Sequence, residues 1–254
     1  MSNQNEPPNG VSRRKFMGTT AAAAAGITIV PRHVLGAGFQ APSDTVNVAI
    51  VGYRFGMGTS NMLNVARTDN IVALCDCDDS EAAWAATTRR GIPEKFPKAV
   101  FYKDFRQMLE KQKDIDAVVV PTPDHNHAMV ALTAIQLGKH VYVQKPLTRT
   151  ISEARALAEA AKKYKVVTQM GNQGHSEEGL RLMQEWFNAG AIGQVREVHC
   201  WTNRPIWPQG MTRPTDTPAV PEGLDWDLWI GPSPMRPYNM AYHPFSWRAW
   251  QDFG

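Results

Sequence analysis

Residues 48–58 read VAIVGYRFGMG, and this stretch decides the fold. The β-branched run from Val46 to Gly52 predicts a buried first strand that leads into a loop with three glycines. Glycines at this position let the backbone approach a pyrophosphate at the N-terminus of the next helix. A regular G-x-G-x-x-G motif would place glycines at 52, 54 and 57, whereas they stand at 52, 56 and 58. The loop alone is therefore a weak signal, and a plain tight turn explains it nearly as well.

An acidic residue at the end of the second predicted strand strengthens this interpretation. Ile71 to Cys75 form that strand, and Asp76 follows it directly. A carboxylate here accepts hydrogen bonds from the ribose hydroxyls of NAD and repels the 2′-phosphate of NADP. Capping of the next helix is the alternative role. The two features together favour NAD over NADP as the cofactor.

Short apolar runs alternate with helical patterns through the first two thirds of the chain, which predicts an α/β domain with a parallel sheet. We assign residues 43–173 to this Rossmann-type domain and 174–254 to a second domain. The second part begins with a helical pattern and continues with an alternating strand, Val195 to Trp201. Six of the eight tryptophans lie in residues 201–250, so the two parts differ in composition.

The N-terminus has the pattern of an export signal. Residues 12–17 read SRRKFM, and an alanine-rich, weakly apolar stretch follows from Met17 to Val30. Twin arginines before such a stretch are typical of a Tat signal, which we assign to residues 1–38. We therefore expect the protein to interact with the Tat export machinery and to act in the periplasm or on the outer side of the membrane. A disordered basic tail is the alternative.

Charge and cysteine content exclude several classes of protein. Of the 27 basic and 24 acidic residues, four basic and one acidic lie within residues 1–40, so the rest of the chain is electrically balanced. Nothing here argues for nucleic acid or an anionic membrane as a partner. Three cysteines, Cys75, Cys77 and Cys200, are too few and too scattered for a disulfide framework. We predict no metal site.

Two later segments carry a family resemblance. Residues 121–127 read PTPDHNH directly after a buried strand, and residues 138–147 read GKHVYVQKPL. This pairing resembles the Gfo/Idh/MocA family of NAD(P)-dependent oxidoreductases. The segments 168–175 and 201–208 look like the same family, so the resemblance covers roughly residues 44–254.

The resemblance implies a Rossmann domain followed by an α/β domain built on a mainly antiparallel open sheet. The substrate, a sugar, inositol or related polyol, would lie between the two domains. Lys145 matches the active-site lysine of the family, and Gln144 stands where the family usually has glutamate. The catalytic Asp and His of the family have no match before Gly254, so we expect a truncated second domain, with His175 as a substitute proton carrier. We also expect a homo-oligomer.

The predicted site residues lie mainly at the carboxyl ends of the predicted strands, where open α/β sheets bind ligands. We assign catalysis to Lys145 and His175. The predicted cofactor-binding residues are Gly52, Arg54, Phe55, Gly56, Asp76, Thr122, Pro123, Asn126, His127, Gln144, Lys145 and Asn172. Trp201, Arg204 and Trp207 are candidates for a wall that stacks on a sugar, although tryptophans at this density more often form core or subunit contacts.

Three functions are compatible with these residues. The leading hypothesis is an NAD-dependent oxidoreductase that transfers a hydride from a sugar or polyol. The second is a redox-neutral glycoside hydrolase or lyase that oxidises its substrate transiently and regenerates NAD, which suits an exported protein. The third is a non-catalytic sugar- or nucleotide-binding protein.

Overall fold

A single parallel sheet forms the centre of the fold. The computed structural model describes residues 45–54, 56–80 and 95–254. Its six strands are arranged in the order β3-β2-β1-β4-β5-β6, all parallel. The strands are β1 Asn47–Val51, β2 Asn70–Cys75, β3 Val100–Tyr102, β4 Ala117–Val120, β5 His140–Gln144 and β6 Thr168–Gly171. This is the order of the doubly wound dinucleotide-binding fold, so the predicted α/β class is confirmed.

Helices connect the strands and cover the sheet. They are α1 Met57–Val65, α2 Phe105–Lys111, α3 Asp124–Gln136, α4 Ile151–Tyr164, α5 Glu178–Asn188 and α6 Trp226–Ile230. Helix α4 begins after Thr150, whose side chain accepts a hydrogen bond from the Glu153 N–H while Glu153 binds the Thr150 N–H. This capping box fixes the start of the helix at Ile151.

The side chains of β1 alternate between the two faces of the sheet, and both faces are buried. Ala49 and Val51 pack into one apolar cluster with residues of α2, α3 and α4. Val48 and Ile50 point to the other face and pack with Met62 of α1. Because both faces are covered, the strand has a continuous apolar sequence rather than an alternating one.

The C-terminal part of the chain packs over the carboxyl edge of this sheet. A third apolar cluster, rich in aromatic residues, spans residues 224–253. The Asp225 N–H donates to the carbonyl oxygen of Cys77 at 2.8 Å, just after β2, and the His125 N–H donates to that of Phe253 at 3.2 Å. His243 Nε2 lies 3.2 Å from Asp78 Oδ2, and both side chains are buried. These contacts fix the aromatic segment next to the strand ends.

The predicted strand from Val195 to Trp201 is wrong. These residues are extended coil, and the Trp201 side chain is 88% exposed. A single strand needs a neighbour for its backbone hydrogen bonds, and none of the described residues pairs with this segment. Helix α5 likewise exposes apolar side chains, Met183, Trp186 and Phe187 among them.

Two sequence assignments cannot be compared with this fold. The signal assigned to residues 1–38 and the cofactor contact assigned to Phe55 lie outside the described residues. Within the part of the chain that the structure describes, no helix is long and apolar enough to cross a membrane.

The fold requires a residue without a side chain at Gly58, and a substitution can test this requirement. A Cβ at Gly58, in the first turn of α1, would collide with the carbonyl oxygen of Gly52 at the end of β1. We therefore expect Gly58→Ala to lower the free energy of unfolding by about 1–3 kcal/mol, because backbone must move to admit the methyl group. Urea unfolding measures this.

The matched control is Gly179→Ala, at the equivalent position in α5. A Cβ there meets no atom within 4 Å. Alanine favours a helix over glycine by up to ~1 kcal/mol, so this variant should be neutral or stabilised. Equal effects of the two substitutions would contradict the close packing of α1 against β1.

Candidate functional site

A cleft of about 580 Å³ lies at the carboxyl edge of the sheet, between the strand ends and the aromatic C-terminal segment. This volume is in the range of small-molecule and cofactor sites. Most of the predicted site residues line it together. They are Gly52, Gly56, Asp76, Thr122, Pro123, Asn126, His127, Gln144 and Lys145.

The glycine loop leaves room for a ligand at the N-terminus of α1. Gly52 has φ of 89°, and a Cβ there would lie 3.0 Å from Thr122 Cγ2. Gly56 also has positive φ, at 47°, and a Cβ there would meet no atom within 4 Å. The first glycine thus allows close approach of β1 to the loop after β4. The second leaves the helix N-terminus open to an anion.

Asp76 is held in position by the backbone on both sides. Its Oδ2 accepts a hydrogen bond from the Arg54 N–H at 2.9 Å, and its Oδ1 accepts one from the Asp78 N–H at 3.2 Å. Burial raises the pKa of Asp76 to about 6, although these hydrogen bonds counteract the increase. The carboxylate therefore lines the cleft in a fixed orientation and loses its charge within a pH range that can be tested.

Two buried histidines organise the turn after β4. Both ring nitrogens of His127 lie near backbone carbonyl oxygens, at 2.7 Å from Pro146 and 2.8 Å from Thr122. Those of His125 lie 2.8 Å from the Trp229 oxygen and 3.2 Å from the Phe253 oxygen. Burial lowers the pKa of both imidazoles. The rings thus connect backbone segments around the cleft.

Asn126, between these histidines, faces the aromatic segment. Its Nδ2 donates to the carbonyl oxygen of Trp229 at 3.0 Å. Its Oδ1 is buried and has no hydrogen-bond partner among the described residues. This oxygen packs against Gly231, where an added Cβ would collide with it, so Asn126 ties the loop after β4 to the aromatic segment.

Gln144 ends β5 inside the cleft, next to Lys145. Its Oε1 accepts from the Lys145 N–H at 3.2 Å and from Gln173 Nε2 at 3.3 Å. Its Nε2 is buried without a hydrogen-bond partner in the described part of the chain. The amide thus offers a donor to a ligand where the family usually offers a glutamate oxygen. Lys145 itself is exposed to the cleft.

Asp124, at the start of α3, is a charged group to which the sequence analysis assigned no role in the site. It lines the same cleft as Lys145 and Arg248. Burial raises the pKa of Asp124 to about 6, against the opposing effect of the positive charges of Arg248 and Lys145. Asp124 follows the loop after β4, at the edge of the sheet where ligands bind, and this position could have identified it from the sequence.

Three predicted residues lie away from the cleft lining. Arg54 is buried behind Asp76, where its Nε donates to the Tyr53 hydroxyl oxygen at 3.1 Å. Asn172 and His175 are exposed near the end of β6, and His175 belongs to a short 3-10 turn, Gln173–Ser176. His175 therefore does not line the cleft that Lys145 lines.

The residues present fit a dinucleotide. The open backbone at Gly56 suits a pyrophosphate, and Asp76 suits the ribose hydroxyls next to it. Farther along the cleft, Gln144 Nε2 and the buried hydroxyl of Thr122 have no partner among the described residues. The fold and this site define the class of the protein as a Rossmann-type dinucleotide-binding protein.

Comparison with known families identifies it further. Residues 46–172 match the family model GFO_IDH_MocA, described as an oxidoreductase family with an NAD-binding Rossmann fold. The chain belongs to this family, and the resemblance inferred from residues 121–127 and 138–147 is confirmed. NAD is accordingly the cofactor that this fold binds.

Curated relatives are 28–29% identical to the chain over the aligned residues. It is 28% identical over 215 residues to a glycosyl hydrolase family 109 protein of Saccharopolyspora erythraea, covering 77% of this chain and 46% of the relative. It is 29% identical over 160 residues to an inositol 2-dehydrogenase of Salmonella paratyphi B, covering 61% of this chain and 45% of that protein. The chain thus spans about half the length of these relatives.

A solved structure shows the same fold. The myo-inositol 2-dehydrogenase from Lactobacillus plantarum superposes with a TM-score of 0.51 at 21% identity. The match covers 59% of this chain and 43% of that protein. At this identity, the likeness supports the fold alone.

The site predicts a pH dependence of cofactor affinity. We expect NAD binding to need the ionised Asp76 carboxylate as an acceptor, and this carboxylate becomes protonated as the pH falls through about 6. We expect the Kd for NAD to be about tenfold higher at pH 5 than at pH 7, as titration of a single group requires. Calorimetric titration at several pH values measures it.

Substitution separates Asp76 from the other carboxyl group with a similar pKa. Asp76→Asn should bind NAD weakly with little dependence on pH. Asp124→Asn should retain the pH dependence of the wild type. The assignment of Asp76 to the ribose would be wrong if the pH dependence disappeared in Asp124→Asn instead.

Proposed function

We propose that the protein is an NAD-dependent oxidoreductase that acts on a hydroxyl group of a sugar or polyol. One observation carries the proposal. Lys145 and Asp124, at the carboxyl ends of β5 and β4, line the same cleft as Asp76 and the glycine loop. A carboxyl group and a lysine therefore share one site with the residues that suit a dinucleotide.

Oxidation of a secondary alcohol removes a hydride from carbon and a proton from oxygen. NAD, when bound, supplies a nicotinamide ring that accepts the hydride. The Lys145 ammonium can stabilise the negative charge that develops on the substrate oxygen. The Asp124 carboxylate can accept the hydroxyl proton.

Asp124 is suited to this role because of its pKa. A general base works best when its pKa lies near the working pH, and burial raises that of Asp124 to about 6. The carboxylate is ionised above this pH and can accept a proton. Below it, the carboxyl group is already protonated, so activity should fall.

The relatives support a carbohydrate substrate of one of two kinds. Inositol 2-dehydrogenases favour net oxidation of a polyol. The glycosyl hydrolase family 109 relative favours the redox-neutral alternative, in which the cofactor is regenerated. Export, which we propose from Arg13 and Arg14, would separate the protein from cytoplasmic NAD and would suit the second kind of reaction.

Kinetics of two variants test the proposal. NADH formation is measured with a panel of free polyols and sugars that includes myo-inositol and D-glucose. We expect Asp124→Asn and Lys145→Ala each to lower kcat by about 100-fold or more, because each removes proton transfer or charge stabilisation. In the wild type, kcat/KM should rise with pH to a plateau above about 6, since Asp124 must be ionised.

Lys139→Ala is the matched control. Lys139 precedes β5, and its Nζ donates to the carbonyl oxygen of Lys113 outside the cleft. Its substitution should leave kcat unchanged. Cleavage of p-nitrophenyl glycosides without added NAD, and no NADH from free sugars, would favour the redox-neutral reaction. Full turnover in Lys145→Ala would overturn the proposed site.

A further inference from the structure

Two arginines share one aromatic surface in the cleft. The guanidinium carbon of Arg204 lies 5.8 Å from the centre of the Trp207 ring, and that of Arg248 lies 6.0 Å from the same centre. Arg248 also lies 4.1 Å from the centre of the Trp247 ring. The residues come from two distant segments, and all of them line the cleft.

These arginines have few partners of their own. Arg248 Nη1 donates to the carbonyl oxygen of Phe245 at 3.0 Å. Within the described residues, neither Arg204 nor Arg248 forms an ion pair with a carboxylate. A guanidinium has five N–H donors, so most of the hydrogen-bonding capacity of the pair is unused by contacts among the described residues and is open to a ligand in the cleft.

The two positive charges are near enough to affect each other. Burial lowers the pKa of Arg248; Asp124 opposes this decrease and Arg204 adds to it. Asp124 acts on Arg248 only at a distance, because the two side chains are too far apart for an ion pair. The pair therefore carries positive charge that no group of the described chain neutralises at contact distance.

The pyrophosphate of a dinucleotide is not the anion that this pair would bind. A pyrophosphate fits the open backbone at Gly56, which follows β1. The positive charge of Arg248 instead affects Asp124, where it opposes the increase in pKa that burial causes. Asp124 follows β4 and acts together with Lys145 in the proposed reaction. The arginines therefore belong to the substrate side of the cleft.

We propose that the substrate side of the cleft takes an anionic sugar, with its carboxylate or phosphate between Arg204 and Arg248 and its ring against Trp207. This inference rests on the proposed function and names the substrate class of the same site. Guanidinium groups bind both anions through paired N–H donors, and the face of an aromatic ring suits the C–H face of a sugar.

Direct binding measurements on the full chain test it. D-glucuronate, D-glucose 6-phosphate and neutral D-glucose are titrated by calorimetry, with and without NAD, and the galactose series is treated in the same way. We expect one anionic sugar to bind at least about tenfold more tightly than its neutral counterpart, as expected for hydrogen bonds to a charged group. The preferred member identifies carboxylate or phosphate as the anion.

Variants locate the effect. Arg204→Gln and Arg248→Gln should each remove about tenfold or more of the affinity for the anionic sugar and leave that for the neutral sugar unchanged. Arg155→Gln, on the exposed surface of α4, is the matched control and should change neither affinity. Thermal unfolding of each variant verifies that it is folded.

The inference is overturned if neutral sugars bind as tightly as anionic ones, or if no anionic sugar of either series binds. It is also overturned if inorganic phosphate or acetate alone binds as tightly as the sugar, because the ring would then contribute nothing. The proposed function fails separately, if the protein does not bind NAD. If the protein oxidises neutral sugars and this activity depends on Lys145, only the proposal of an anionic substrate is refuted.

Discussion

The close approach of Gly52 to Thr122 is the constraint on which the rest of the site depends. Strand β1 pairs with β2 on one side and with β4 on the other, so the chain connections leave β1 and β4 in opposite directions. A crevice opens where they diverge. Gly52 has no side chain and adopts positive φ, so the loops after β1 and β4 meet within van der Waals distance. Asp76, Asp124 and the glycine loop consequently face one cleft.

The aromatic C-terminal segment is anchored at the same edge of the sheet. Its anchors are buried polar contacts, chiefly the His125 ring against two backbone carbonyls and the His243 ring against the Asp78 carboxyl group. Burial raises the pKa of Asp78, but hydrogen bonds from His243 and Ser80 outweigh this and leave it below its ordinary value. The carboxylate therefore stays charged and keeps the segment next to the loop after β2. That placement brings Arg248 into the cleft that Asp124 also lines.

The sequence predicted the fold well because each strand carries a local signal. The apolar runs at Val46 to Gly52 and Ile115 to Val120 are long enough to identify buried parallel strands. The short β3 was missed, since Val100–Tyr102 has only three residues and is partly exposed. The strand predicted from Val195 to Trp201 failed for the opposite reason. Its alternation is clear, but pairing depends on a neighbouring strand and no local pattern reveals one.

The site was predicted in part, for similar reasons. Glycines, Asp76, Gln144 and Lys145 follow strands directly, so the rule that ligands bind at carboxyl ends located them. Arg248 lies far along the chain in a segment without regular pattern, and only tertiary packing brings it near Asp124. His175 has the right chemistry for proton transfer, yet it lies on an exposed turn beyond β6. Residue type and sequence order do not encode such distances.

Hydrogen–deuterium exchange with and without NAD tests the central claim most directly, because it reports where the cofactor binds. The account predicts that NAD slows exchange of the amides in residues 51–58, 75–78 and 121–127, the three loops that meet at the crevice. Exchange in α5, whose side chains are exposed away from the cleft lining, should not change. Unchanged exchange in the three loops at saturating NAD, or protection confined to other segments, would contradict the assignment of this cleft as the dinucleotide site.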